Sequence, residues 1–149
     1  MRLSAGIKSL FLAGAFFSTA ALAAQNEPSS IKVNRGTHSG QILSLKNKDE
    51  GRTFKIYSDR RGNVIVALTF STSGLNTSSL RLEMNARALN GSLALDVEAK
   101  SADGSFVKIG TFSLTGAFGD VSVFVPAQAV VNGTLTVRLR AGLTLATWR

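Results

Sequence analysis

The strongest constraint on this fold is a strict two-residue alternation between apolar and polar side chains. In Leu80–Ala88 every second residue is apolar, and the residues between them are Arg81, Glu83, Asn85 and Arg87. Successive side chains of a strand point to opposite faces of a sheet, so this pattern predicts a half-buried β-strand. Helical periodicity is absent from almost the whole chain.

Similar short runs recur along the sequence and are separated by clusters of Gly, Asn, Asp and Ser. Their spacing of about 8 to 12 residues is typical of an all-β sandwich or barrel, and we expect about nine or ten strands. Val64–Phe70 is almost continuously apolar, which predicts a central strand covered on both faces. Ala127–Val131 fits either one helical turn or an irregular crossing. The other predicted strands are Gln41–Leu45, Thr53–Tyr57, Leu93–Ala99, Phe106–Phe112, Val121–Val125, Leu135–Leu139 and Leu143–Trp148.

The dipeptide Asn90-Gly91 favours a type I′ turn, and therefore a hairpin between the runs on either side of it. In the register that a two-residue loop sets, Glu83 lies opposite Glu98 and Arg81 lies opposite Lys100. Both direct pairs are repulsive. Either the sheet twist favours the attractive diagonal pairs, or the two strands lie in different sheets.

The N-terminus has the pattern of a secretory signal peptide. Arg2 and Lys8 precede the apolar run Leu10–Ala20, and Ala21-Leu22-Ala23 matches an A-x-A cleavage site. The run is shorter than the roughly 20 residues that span a bilayer. We therefore predict a signal peptide at residues 1–24, a flexible leader at 25–30, one β-sandwich domain at 31–149, and no transmembrane anchor.

The amino-acid composition limits the kinds of functional site that the predicted exported part can contain. The chain has no cysteine, so disulfides, thiol catalysis and Cys-based metal sites are excluded. Without Arg2 and Lys8, 15 basic and 9 acidic residues leave a net charge of +6. Such a charge either raises the rate of encounter with anionic partners or serves solubility alone.

The densest basic segment is the first candidate for ligand binding. Six cations lie close together around one tyrosine, and arginine binds carboxylate, sulfate or phosphate groups through a bidentate fork. Trp148 is the sole tryptophan, and it either stacks on a sugar ring or covers a sheet edge. The candidates are Lys46, Lys48, Arg52, Lys55, Tyr57, Arg60, Arg61 and Trp148.

Catalytic and metal sites are weaker interpretations. His38 is the only histidine, and Thr37-His38-Ser39 lacks the frame of a nucleophile elbow, so we predict a surface residue. Asp96 and Glu98 project together from one strand, as paired carboxylates of a glycosidase do, but a solvated strand face explains them better.

No cofactor is expected, apart from a structural calcium ion as a weak alternative, and the few aromatic residues disfavour sequence-specific nucleic-acid binding. The loop and turn carboxylates that are candidates for calcium are Asp49, Glu50, Asp103 and Asp120.

Four segments together resemble a module of bacterial secreted proteins that is similar to carbohydrate-binding modules. The segments are Arg35–Gly40, Asp49–Phe54, Asp103–Val107 and Val131–Arg140. The resemblance covers residues 31–149 and implies a jelly-roll-like β-sandwich with no established activity of its own. Many members of that family carry Trp where this chain has Phe106.

Charge and resemblance together predict an exported, noncatalytic binding module, periplasmic or extracellular in a bacterium. Its expected ligand is a glycan or an anionic polymer of the cell envelope. A self-assembling surface or matrix protein is the alternative, and a secreted glycan hydrolase is a weaker one.

Overall fold

The alternating runs fold into two antiparallel β-sheets. The computed structural model describes residues 9–19, 22–39, 54–89 and 92–141. The strands are β1 (Ser9–Thr19), β2 (Leu22–Asn26), β3 (Pro28–Arg35), β4 (Thr37–Ser39), β5 (Phe54–Tyr57), β6 (Val64–Ser71), β7 (Leu80–Leu89), β8 (Leu93–Lys100), β9 (Phe106–Leu114), β10 (Gly119–Val125), β11 (Val130–Val131) and β12 (Thr134–Ala141).

The first sheet, sheet A, has the strand order β10-β7-β1-β5-β4, with β2 paired to β1. The second, sheet B, has the order β3-β6-β12-β8-β9, with β11 paired to β12. Buried residues of both sheets form one hydrophobic cluster. The predicted all-β sandwich is therefore confirmed, whereas the jelly-roll connectivity stays a prediction.

The core follows directly from the alternation. On β6 the buried residues are Val64, Val66, Leu68 and Phe70, and the residues between them are only half-buried. β6 lies between β3 and β12, so the prediction of an inner strand is confirmed, but its outer face is only half-buried and the expected cover on both faces is wrong.

The predicted hairpin between β7 and β8 is wrong. β7 belongs to sheet A and β8 to sheet B, so Glu83 and Glu98 lie on the outer faces of opposite sheets. Placement in different sheets is the second of the two alternatives predicted from the repulsive pairs, and it separates both of those pairs. Asn90-Gly91 itself lies outside the described residues, as do the predicted strands Gln41–Leu45 and Leu143–Trp148.

Two turns have backbone conformations that require particular residue types. Asn132 and Gly133 both have positive φ, 52° and 73°, and join β11 to β12 as a two-residue hairpin turn. Gly36 has φ of 105°, and a Cβ there would collide with the carbonyl group of Tyr57. Glycine at 36 therefore lets the chain pass from β3 into the edge strand β4.

The segment after β10 combines the two alternatives left open by the sequence. Ala127–Ala129 forms one 3-10 turn after Pro126, and Val130–Val131 then forms the short strand β11.

The described residues between 9 and 30, namely 9–19 and 22–30, take part in both sheets. β1 is the central strand of sheet A, and β3 begins at the buried Pro28, which lies opposite Phe70 of β6. The predicted flexible leader is instead paired structure, with Gln25 and Asn26 in β2 and the residues from Pro28 onward in β3. Cleavage of residues 1–24 stays a prediction. Within the described residues, no helix has the length and apolarity needed to cross a membrane.

Candidate anion-binding cleft

The outer face of sheet B carries an open cleft of about 630 Å³. Its floor is a row of residues across five strands, because the pairing register places Arg35, Ile65, Arg140, Asp96 and Thr111 side by side. The residues that line the cleft are Arg35, Arg61, Asn63, Val64, Ile65, Ala94, Asp96, Glu98, Lys108, Arg140 and Ala141.

Glu98 is the electrostatic centre of this face. It points outward from β8 but is only 6 % exposed. The Nε of Arg138 donates a hydrogen bond of 2.6 Å to Glu98 Oε2, and Arg140 Nη1 lies 3.4 Å from Oε1. The predicted solvated strand face is therefore wrong at Glu98, because two arginines from β12 cover the carboxylate.

A phenylalanine supports this charged group from β9. The guanidinium carbon of Arg138 lies 4.0 Å from the centroid of the Phe106 ring. A cation over an aromatic face is attracted by the ring quadrupole. Phe106 thus orients the arginine that binds Glu98.

Asp96 is the second carboxylate of the cleft and is also engaged. It accepts a hydrogen bond of 2.9 Å from the hydroxyl group of Thr111, and Lys108 Nζ lies 3.4 Å from its other oxygen. Both carboxylates of the cleft are therefore committed to contacts within the protein. Four cations and two carboxylates leave the cleft lining with a net charge of +2.

A short turn between β5 and β6 places Arg61 at the cleft. The Gly62 amide donates to the Asp59 carbonyl at 2.9 Å, and Gly62 has φ of 81°. The Asp59 carboxylate oxygen Oδ1 accepts hydrogen bonds of 2.9 Å from the backbone amides of Arg61 and Asn63. This geometry identifies Asp59 as an organiser of the turn.

The hydrogen bonds of this turn also affect the pKa of the Asp59 carboxyl group. The Asn63 amide, followed by the Arg61 amide and the nearby charges of Arg35 and Arg61, holds the pKa of Asp59 below its ordinary value of 3.8. The charged carboxylate is therefore favoured in the folded state.

We expect Asp59→Ala to reduce the free energy of unfolding by about 1 kcal/mol at neutral pH, because it removes the acceptor of two backbone hydrogen bonds. The folded-state pKa is the lower one, so the contribution is present above pH 3.8 and is lost as pH falls through the folded value. Urea unfolding of the wild type and the variant between pH 6 and pH 2.5 checks this. A stability difference that does not narrow at low pH would contradict the prediction.

The basic segment predicted as the ligand site is divided between the two sheets. Lys55 and Tyr57 lie half-buried on the outer side of β5 in sheet A, whereas Ile56 between them is fully buried. Arg60 and Arg61 are exposed in the following turn, and among the described residues of this segment only Arg61 lines the cleft. Lys46, Lys48, Arg52 and Trp148 lie outside the described residues.

The outer face of sheet A carries a different pattern, with arginines above phenylalanines. Arg81 lies 4.3 Å from the ring centroid of Phe124, and Arg87 lies 4.8 Å from that of Phe118. Phe124 is 59 % exposed, and it lies opposite Arg81 in the register of β10 and β7. Each guanidinium therefore covers part of an exposed aromatic ring.

The calcium candidates serve local contacts where the structure describes them. Asp103 accepts hydrogen bonds from the hydroxyl group and the amide of Ser105, which lower its pKa. Asp120 accepts a hydrogen bond of 2.9 Å from the Asn85 side chain. Asp49 and Glu50 lie outside the described residues, and the part of the chain that is described contains no cluster of three or more metal-binding side chains. His38 is exposed on the edge strand β4.

Sequence reasoning missed three of the four described cleft cations, Arg35, Lys108 and Arg140. It also missed Arg138, which binds Glu98 beside the cleft. A usable signal was present, because Arg138-x-Arg140 and Asp96-x-Glu98 have equal spacing and opposite charge on two predicted strands. Neighbouring strands in register bring such pairs together.

Comparison with protein-family models, curated proteins and solved structures found no match to this chain.

Proposed function

We propose that this protein is an exported, noncatalytic binding module that binds an anionic glycan or a related anionic polymer of the cell envelope in the cleft on sheet B. The observation that carries the proposal is the charge arrangement of the cleft. Arg35 and Arg61 are exposed at its margin, while its two carboxylates are held by Lys108, Arg138 and Arg140.

The composition of the cleft favours an anionic ligand over a neutral sugar. Protein sites for neutral sugars use aromatic rings for stacking, and the described residues that line the cleft include no aromatic side chain. Its volume of about 630 Å³ suits one or a few sugar units. The open shape suits a polymer that extends beyond the site.

The same contacts argue against glycoside hydrolysis at this site. That reaction needs one carboxylic acid to donate a proton and a second carboxylate to act as nucleophile or base. Here Glu98 is buried beneath two arginines and Asp96 binds Lys108 and Thr111. These contacts favour binding without catalysis.

Retention of the purified protein on dextran sulfate, measured against sodium chloride concentration, tests the proposal. Uncharged dextran is the ligand control. We expect Arg35→Gln/Arg61→Gln to weaken binding by about tenfold or more and to flatten the salt dependence, because two charge-assisted contacts are lost.

The matched control is Lys32→Gln/Arg60→Gln, which removes the same charge from exposed positions outside the cleft lining. Equal losses in both double variants would mean that net charge alone drives retention, and the cleft would not be the binding site.

Self-assembly through sheet edges is the second candidate function. Val107 on β9 and Phe124 on β10 are 52 % and 59 % exposed, and each strand ends its sheet. Exposed apolar residues on edge strands favour pairing with another copy. Concentration-dependent oligomers in light scattering, without retention on dextran sulfate, would favour this function over glycan binding.

A further inference from the structure

The central strand of sheet A lies within the predicted signal peptide. β1 pairs antiparallel with β7 along one side and with β5 along the other. It is the only described strand that connects β5 and β4 to β7 and β10. Removal of residues 1–24 would therefore separate sheet A into two parts.

The two strands that flank β1 carry buried core residues, which need a strand between them to keep water out. Ile56 of β5 is fully buried, and Ala86 and Ala88 of β7 are each only 1 % exposed. Without a strand between them, the backbone groups along the facing edges of β5 and β7 would lose their hydrogen-bond partners. The processed protein needs another strand in this channel.

The end of β12 lies at the entrance to that channel. Ala141 is opposite Val64 of β6 and Leu95 of β8. Val64 follows the end of β5 after one short turn, and Leu95 comes soon after the end of β7. Those two strand ends, Tyr57 and Leu89, are the residues opposite Ser9, where β1 begins. A chain that leaves Ala141 thus reaches the channel at the same end as β1 and would run in the same direction.

The length of chain beyond Ala141 is sufficient. Eight residues, 142–149, follow in the sequence. Packed sheets are about 10 Å apart, or about three Cα–Cα steps of an extended chain, so the crossing from Ala141 reaches residue 144 and leaves about six residues, 144–149, for pairing. The contact between β1 and β5 extends over only four positions, Ser9–Leu12.

The sequence of this segment also fits the channel. The positions of β1 that lie opposite Ala88 and Ala86 are Leu10 and Leu12. Leu145 is the leucine within the remaining stretch that can take the place of Leu10, and the alternation of Leu143-Thr144-Leu145 predicts a strand.

We propose that, after the signal peptide is removed, residues 144–149 pair between β5 and β7 and replace β1 as the central strand of sheet A. In the precursor, β1 holds this position. The proposal rests on the export proposed above, because cleavage is what vacates the channel.

Disulfide cross-linking tests the replacement, since the wild-type chain has no cysteine that would interfere. Lys55 of β5 lies opposite Phe11 of β1. Lys55→Cys is combined with either Thr144→Cys or Ala146→Cys, so that both registers on the outer side are sampled. Paired strands bring Cα atoms to about 5 Å, within the range for a disulfide. We expect one of the two double variants, after export and processing, to form an intramolecular disulfide.

Two controls define the result. Lys32→Cys on β3 of sheet B, combined with the same partner cysteine, should form no disulfide. Ala23→Asp removes the small residue required for cleavage and should keep β1 in place, so the disulfide with Lys55→Cys should fall by about tenfold or more.

The mass of the exported protein separates the two proposals. Cleavage near Ala23 without the disulfide overturns the strand replacement and leaves export standing. An uncleaved chain overturns export, and the replacement fails with it. A disulfide-linked dimer overturns the replacement, because the occupant would then be a second copy.

Hydrogen exchange on the processed wild-type chain provides a measurement without cysteines. We expect slow exchange of the β7 amides, accelerated by about tenfold or more when residues 142–149 are deleted. Unchanged protection after the deletion would overturn the proposal.

Discussion

Glu98→Gln is expected to lower the free energy of unfolding by about 3 kcal/mol and to strengthen binding to dextran sulfate. Removing one member of a buried ion pair leaves its partners without compensation, which costs about 3–5 kcal/mol when the site is fully buried. Here the side chains of Arg138 and Arg140 are 26 % and 50 % exposed, so water offsets part of the loss and the lower end applies. The two arginines released from Glu98 would then be able to bind the ligand.

The opposite signs make this prediction specific. Urea unfolding measures the loss of stability, and the salt concentration that elutes the variant from dextran sulfate measures the gain in binding. Glu83→Gln on the outer side of β7 is the matched control, because it makes the same charge change on sheet A. Equal gains in retention for the two variants would show that the effect comes from net charge.

Phe70→Ala is expected to be the most destabilising simple substitution, at about 3–5 kcal/mol. Phe70 is fully buried in β6, between Pro28 of β3 and Leu135 of β12 in the register. Truncation of the ring removes apolar surface from the core and leaves a cavity that β-sheet neighbours cannot readily fill. The free energy of unfolding of a typical domain is about 5–15 kcal/mol, so the variant would be marginally folded.

Phe124→Ala is the control, because it removes the same ring from an exposed position. Its ring is 59 % exposed and contacts Arg81, so a loss of about 1 kcal/mol or less is expected. Chemical denaturation of both variants gives the comparison. Similar losses at the two positions would mean that burial of Phe70 does not determine its contribution.

The strands were predictable because their physical cause is local. The alternation in Leu80–Ala88 reflects one face against the core and one face toward solvent, and the structure has β7 there. Turn residues such as Asn132-Gly133 were also predictable, since positive φ restricts the choice of amino acid. The assignment of strands to sheets depends on distant partners, and only the charge conflict between Glu83 and Glu98 pointed to separate sheets.

The cleft was less accessible to sequence reasoning for the same reason. Arg35, Lys108 and Arg140 are far apart in the chain, and the strand order of sheet B brings them to one face. The density of cations in the sequence pointed to Lys55 and Arg61 together, although these residues lie on different faces. When the chain crosses between sheets, the density of cations along the sequence is therefore a poor guide to their density on a surface.

The crossing of the chain between sheets has a consequence for folding rate. β3 pairs with β6, β6 with β12, and β7 with β10, so most of the sandwich joins segments that are distant in sequence. Because the entropy of closing long loops is lost before such contacts form, proteins of this kind fold in roughly milliseconds to seconds rather than microseconds. Slow folding keeps a newly made chain extended for longer, which would favour the export proposed above, since transport of an unfolded chain must precede folding.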